Sequence, residues 1–335
     1  MNLAEARRQL SYAIGVVRQR PFQVLLQVTN RCNLTCPFCG FWANGVPPGK
    51  ELSLEEFRSL EERLSRAGCF LVSIEGGEPL LRDDLLEIVR IFARRHIPLL
   101  YTNGWYMSPE LARALFDAGL VQAGVSIDFP DPARHDAMRG REGTSERAWL
   151  AIERLREAAP HSGKQVHVMT VLMEENRNDL EFLLNMSAQR RVGHSLTLLS
   201  TSGQRRGGGG TAPRPPISAE LIRLWHRFPH LRVFRENLEG IDRFLQRETL
   251  PPCRMGRQGF NVDHVGNVAR CIETIGKPFG SIRNEPLDWI LDRMTTHSAS
   301  TECQQCWTAC RGYSQALGDG HLRSYLDLAR RMRSA

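Results

Sequence analysis

The stretch Val28-Thr29-Asn30-Arg31-Cys32-Asn33-Leu34-Thr35-Cys36-Pro37-Phe38-Cys39 decides the reading of this chain. It follows directly on an apolar run, Val24–Thr29, that reads as a buried β-strand. The three cysteines stand at spacings of three and two residues on one short loop. Three such thiolates can hold three corners of a cubane iron–sulfur cluster and leave one iron open to a small molecule. A structural zinc site wants a further close ligand, and none stands in the loop, yet zinc is the rival reading of spacing alone.

Outward from that loop, strand-like runs alternate with helical patterns. Leu54–Ala67 has apolar residues near helical spacing, with Ser53 placed to cap it ahead of Glu55 and Glu56. Phe70–Ile74 reads as a strand, Asp84–Arg95 as a helix and Pro98–Thr102 as a strand. Pro109–Ala118 is expected to be a helix started by Ser108 and Pro109 and stopped by Gly119. Val121–Ile127, Ser145–Ala159, Gln165–Leu172, Asn178–Arg190 and Ser195–Ser200 continue the alternation of strand and helix. About six βα units imply an α/β fold with parallel strands, either doubly wound or a barrel, whose function gathers at the C-terminal strand ends. The segment from Thr201 to Ile217, with four consecutive glycines and three prolines, is expected to be a flexible loop.

Those motifs and their order resemble the radical S-adenosylmethionine (SAM) superfamily. The shared features are C-x3-C-x2-C after the first strand, the aromatic Phe38 directly before Cys39, and Gly76-Gly77-Glu78-Pro79 at the end of the second strand. The resemblance covers about residues 22–200 and implies a partial (βα)6 TIM-like barrel. It also implies a [4Fe–4S] cluster on Cys32, Cys36 and Cys39 that binds SAM through its open iron. Reductive cleavage of SAM would then give a 5′-deoxyadenosyl radical that abstracts hydrogen from a substrate. By the same resemblance Phe38, Gly76, Gly77, Glu78 and Pro79 are cofactor-binding residues, with Glu78 an acceptor near a cationic ligand. Ser126 and Asp128, closing the fourth strand, and Arg139 of His135-Asp136-x-x-Arg139 complete that set.

Five more cysteines lie in the last third: Cys253, Cys271, Cys303, Cys306 and Cys310. Gly266-Asn267 between Asn261–Val265 and Val268–Ile272 reads as a β-hairpin turn that brings Cys253 and Cys271 together. C-x2-C pairs also suit tetrahedral zinc. The segment resembles the SPASM or shorter twitch extensions of the same superfamily, with Gly266-x4-Cys271 as their G-x4-C hairpin. Five thiols imply one auxiliary [4Fe–4S] cluster. The resemblance favours Cys253, Cys271, Cys303 and Cys306 as ligands, with Cys310 as the alternative, and implies electron transfer in a net oxidation. Cys69 is expected to be a small buried apolar residue.

The expected organisation is an N-terminal amphipathic helix at residues 1–21, a barrel at 22–229 and a cluster-bearing domain at 230–335. Leu3, Leu10, Ile14 and Val17 share one helical face, read as packing on the barrel. With 44 Lys+Arg against 37 Asp+Glu the chain is basic, but its arginines are dispersed among acids rather than gathered with aromatics, so no nucleic-acid partner is expected. No apolar run is long enough for a transmembrane span and no signal peptide is evident, so clusters and free thiols point to the cytoplasm.

The implied reductant is a flavodoxin- or ferredoxin-type donor. Fewer than 25 residues precede the first strand, which favours a small molecule or cofactor precursor over a peptide that needs a leader-binding domain. A peptide- or protein-modifying maturase is the alternative, and a non-catalytic zinc- or iron–sulfur-binding protein is the alternative of another class. Glu75, Tyr101, His167, Asp263, His264 and Glu273 are candidate proton acceptors.

Overall fold

The computed structural model describes residues 3–160, 165–203, 206–300, 303–318 and 322–332. Its strands are β1 Gln23–Thr29, β2 Leu71–Gly76, β3 Ile97–Thr102, β4 Gln122–Ser126, β5 Gln165–Leu172, β6 Gly193–Leu198, β7 Gly259–Val262, β8 Asn267–Ala269 and β9 Gly280–Ser281. The barrel helices are α2 Leu54–Ala67, α3 Leu85–Ala93, α4 Pro109–Asp117, α5 Pro132–Arg139, α6 Thr144–Ala158 and α7 Leu180–Gln189, preceded by α1 Leu3–Val17. Six further helices follow β6: α8 Ser218–Arg227, α9 Arg235–Glu239, α10 Ile241–Leu245, α11 Leu287–Ser300, α12 Ala309–Gly318 and α13 Leu322–Met332.

The described strands form one sheet in the order β6-β5-β4-β3-β2-β1-β7-β8-β9. β1 to β6 pair in parallel, neighbour to neighbour, as expected for an open, partial (βα)6 barrel. β1 is buried at every position, as a parallel strand covered on both faces must be. α2 opens on a capping box, with Ser53 accepting from the Glu56 amide and Glu56 accepting from the Ser53 amide. Phe57, Leu60 and Leu64 of α2, Ile88 and Phe92 of α3, Leu115 of α4 and Ile152 of α6 form the main core against the sheet.

β7 lies parallel to β1, so the C-terminal hairpin continues the barrel's own sheet. Its turn is one step earlier than the sequence suggested. The Gly266 amide bonds Asp263, whose carboxylate also accepts from the Val265 and Asn267 amides, and Asn267 begins β8. Gly266 takes the positive φ that the turn demands.

Two other expectations are corrected. In α1 it is the opposite face that packs: Val16 and Tyr12 meet Phe22, Phe234 and Leu317, while Leu10, Ile14 and Val17 are exposed. The side chain of Leu3 lies outside the described residues. The glycine-rich segment is, in its described part, bonded to the cysteine loop and not a free loop. The Gly207 and Gly209 amides donate to the carbonyls of Phe38 and Pro37, and Arg206 bridges Cys39. Side chains at these two glycines would overlap Pro37, which is why this strap is glycine. Gln204 and Arg205 lie outside the described residues. No described helix is long and apolar enough to cross a membrane.

Burial holds four histidines neutral, His96 at about 4 and His135, His167 and His194 at about 3. Their folded values lie below the unfolded one, so the unfolded chain takes up protons first on acidification. The resulting stability is complete above the unfolded histidine pKa of about 6.5 and falls as pH drops toward the folded values. Urea midpoints should be lower at about pH 5 than at about pH 7.5. Replacing His96 and His194 with glutamine should flatten that dependence, and an unchanged slope would contradict the assignment.

Candidate active site

The loop that carries the first three cysteines is held at its root. Where β1 ends, the Gly77 amide donates to the Thr29 carbonyl at 2.7 Å and the Glu78 amide to the Arg31 carbonyl at 2.8 Å. Any Cβ on Gly76 or Gly77 would overlap those same carbonyls, so the glycines permit contact between two pieces of backbone. Gly76 also takes a positive φ. Glu51, buried beside this junction, accepts from both nitrogens of the Arg31 fork at 3.1 Å, from Arg82 at 3.3 Å and from Thr29. Arg82 in turn donates to the Val28 and Leu52 carbonyls and grips Asp84 through two hydrogen bonds.

Above that root lies a cavity of about 160 Å³. Its walls include Cys32, Cys36, Cys39, Phe38, Gly76, Gly77, Ser126 and Arg139, with Glu75, Tyr101 and Asn103 below and Ile272 opposite. Burial pushes the Cys32 thiol up to about 12 and raises Cys36 as well. Such thiols ionise only when a cation is supplied to them, which is what iron does. Among the described residues no three His, Cys, Asp or Glu side chains converge closely enough to hold a single metal ion. The cavity also offers a donor for an anionic group, because the buried Arg139 Nε has no hydrogen-bond partner. The residues present therefore fit a cluster with an anionic ligand on its open iron.

The His135-Asp136-x-x-Arg139 motif works as a local clamp. The His135 ring accepts from the Asp128 amide at 3.2 Å, and Asp136 receives the Gly143 and Ser145 amides at the start of α6. Arg139 pairs with Asp128 at 2.6 Å and lies over the Phe38 ring, its guanidinium 5.4 Å from the centroid. Asp128 is fully buried and also receives the Val171 amide, so it aims Arg139 and does not reach the cavity.

Glu78 lies at the same junction. Its carboxylate is fully buried and accepts from Thr102 Oγ1 at 2.6 Å, the Asn103 amide at 2.7 Å and the Leu80 amide at 3.0 Å. Burial raises it to about 7 against the pull of those three donors. It fastens β2 to β3 through Thr102 and Asn103. Pro79 is a buried first residue of a short 3-10 turn, outside the cavity wall.

The second thiol set lies beside the first. Cys253 and Cys271 pack with Leu25, Phe41, Met255 and Ile272, and Cys39, Cys303 and Cys310 border the same apolar cluster. Burial pushes Cys271 up to about 12, and the charges of Cys310 and Cys253 add to it. Cys306 is raised further, by burial and then by Cys310, Cys271 and Cys253. Thr308 Oγ1 lies 3.1 Å from the Cys310 sulfur and 3.9 Å from that of Cys306. Cys253, Cys271 and Cys306 are buried, and Cys303 and Cys310 are half-buried against the same cluster.

Of the candidate proton acceptors, Glu75 and Tyr101 line the cavity, and His167 stacks edge-on to Tyr101 below it. Asp263 is occupied in the hairpin turn, and His264 is buried near Glu51, away from the cavity wall. Glu273 follows Cys271 and is buried with the second thiol set. Glu51 and Arg82 escaped the sequence reading because they sit in no motif. Cys69 is buried, as expected.

The model of the radical SAM superfamily matches residues 26–186, the span that carries both motifs and the cavity. The chain carries a radical SAM superfamily domain. It is therefore an enzyme whose cofactors are SAM and a [4Fe–4S] cluster, and the non-catalytic alternative is set aside. The chain is 26% identical over 325 residues to the AdoMet-dependent heme synthase of Nitratidesulfovibrio vulgaris, covering 89% of this chain and 87% of that one. It is 29% identical over 280 residues to the PqqA peptide cyclase of Rhodopseudomonas palustris, covering 79% and 71%. In fold it is similar to Streptococcus suis SuiB bound to precursor peptide SuiA, with a TM-score of 0.67 at 14% identity over 93% of this chain and 77% of that one. It is also similar to anSMEcpe with bound AdoMet, with a TM-score of 0.64 at 16% identity over 93% and 96%.

Two substitutions test the junction. Gly77→Ala should displace the Arg31 carbonyl and reduce the iron retained by a chain lacking the second thiol set. Glu78→Ala should orphan three donors, cost about 3 kcal/mol in urea unfolding and weaken SAM binding in parallel. Wild-type iron content in Gly77→Ala, or unchanged stability in Glu78→Ala, would contradict this reading.

Proposed function

We propose that this radical SAM enzyme carries out a net oxidation of a small molecule or cofactor precursor, using one auxiliary [4Fe–4S] cluster in a SPASM- or twitch-like C-terminal segment. The carrying observation is that both thiol sets border one apolar cluster, Cys39 on one side and Cys253, Cys271 and Cys310 on the other. When bound, the SAM-binding cluster and SAM supply the hydrogen-abstracting radical.

The chain's own residues do the rest. Cys32, Cys36 and Cys39 hold the first cluster, Arg139 faces the carboxylate of SAM, and Ser126 and the Gly76-Gly77 backbone shape the wall around it. Phe38, under the Arg139 guanidinium, keeps that wall dry. Cys253, Cys271, Cys303 and Cys306 hold the auxiliary cluster, with Cys310 as the alternative ligand. Glu75 is the base on the cavity wall that accepts the proton released by substrate, beside the buried neutral phenol of Tyr101. A flavodoxin- or ferredoxin-type donor in the cytoplasm supplies the reducing electron.

The small-molecule reading is supported by the match to AdoMet-dependent heme synthase along 89% of the chain. A peptide substrate is the second reading, favoured by the PqqA peptide cyclase match over 79% of the chain. Anaerobic reconstitution should give about eight irons per chain and SAM-dependent release of 5′-deoxyadenosine. Replacing Cys32, Cys36 and Cys39 by alanine should halve the iron and abolish that release. Zinc in place of iron, with no SAM cleavage, would overturn the proposal. A short cysteine-rich peptide encoded beside the gene and modified by the enzyme would decide for the second reading.

A further inference from the structure

Two arginines buried at the second thiol set form no ion pair with a carboxylate among the described residues. Arg311, in the first turn of α12 and next to Cys310, is fully buried. It donates to the carbonyls of Cys303 and Cys306 at 3.0 Å and to that of Pro251 at 2.7 Å, and its guanidinium lies 5.0 Å from the Trp307 ring centroid. Its Nε has no hydrogen-bond partner. Arg270, next to Cys271, is equally enclosed and donates to the carbonyls of Met255 at 2.9 Å and Cys253 at 3.4 Å. Contrast Arg139 and Arg82, whose buried charges meet Asp128, Glu51 and Asp84.

Carbonyl oxygens satisfy the N–H donors of a guanidinium but carry no compensating charge. Arginine does not shed its proton on burial, so a cation enclosed this way is costly unless an anion resides beside it. The segments gripped by the two side chains are the ones that carry the second thiol set. A cubane held by four thiolates is anionic as a whole and becomes more so when it takes up an electron. Two fixed cations next to it oppose that charge, and they favour the reduced form over the oxidised one in a low-dielectric site.

We infer that Arg311 and Arg270 are the built-in counter-charges of the auxiliary cluster, positioning residues that order its cysteine loops and raise its reduction potential. The inference rests on the proposed auxiliary cluster and deepens it: the site is set to accept an electron.

The test uses the full chain with Cys32, Cys36 and Cys39 replaced by alanine, reconstituted anaerobically and titrated electrochemically with the cluster followed by EPR. That background should hold about four irons. If it binds no iron–sulfur cluster, the proposed auxiliary cluster itself fails. With the cluster in place, Arg311→Gln and Arg270→Gln should each shift the midpoint to more negative potential. Arg311→Lys, which keeps the charge but loses the fork, should stay near the parent potential while retaining less iron. Should Arg311→Gln fail to load, Arg270→Gln carries the same comparison. Glutamine variants that load iron and titrate at the parent potential would overturn the inference, as would a lysine variant that falls as far as glutamine.

Discussion

Everything at the candidate active site depends on one backbone junction. The amides of Gly77 and Glu78 hold the carbonyls of Thr29 and Arg31 where β1 runs out, so two neighbouring parallel strands deliver their C-terminal loops as one unit. Side chains at Gly76 or Gly77 would drive the loops apart. Glu51 and Arg82 lock the same junction from beneath, and Glu78 ties it onward to β3 through Thr102 and Asn103. The cysteine loop can then remain largely irregular and still present three thiols to one cavity, because its root does not move. The glycine strap at residues 206–210 bonds the cysteine loop at Pro37 and Phe38.

Charge is the second organising factor, and it is carried by arginine. The chain's excess of basic residues suggests nothing about a partner when read from composition. In the fold several of these arginines are interior parts: Arg82, Arg270 and Arg311 bind main-chain carbonyls of loops that adjoin cysteines, and Arg331 binds four carbonyls around the end of α8. A lysine has no planar fork to hold two or three carbonyls at once, which is a physical reason for the near absence of lysine here.

Much of the architecture was legible because its signals are local. The boundaries of α2 and β5 follow from a capping box and an apolar run, and the cysteine spacing together with Gly-Gly-Glu-Pro placed the cavity before any fold was seen. What escaped was long-range. Nothing in Glu51 announces that it meets Arg31 and Arg82, and the same is true of the strap's pairing with Cys39. The apolar face of α1 was legible as a pattern but misleading as a contact, since Val16 and Tyr12 proved to be the packed side. The partners of Glu78 on β3, Thr102 and Asn103, are long-range as well. A motif tells which residue is required, and only the fold tells whether its carboxylate faces a ligand or the neighbouring strand.

The central claim is that two iron–sulfur sites of different kind share one apolar wall, one open to SAM and the other closed by thiolates. Mössbauer spectroscopy of the reconstituted full chain, with and without SAM, addresses it most directly. Two [4Fe–4S] clusters are predicted, with SAM perturbing a single iron of one cluster and leaving the other unchanged. A single cluster, or two clusters that both respond to SAM, would contradict the account.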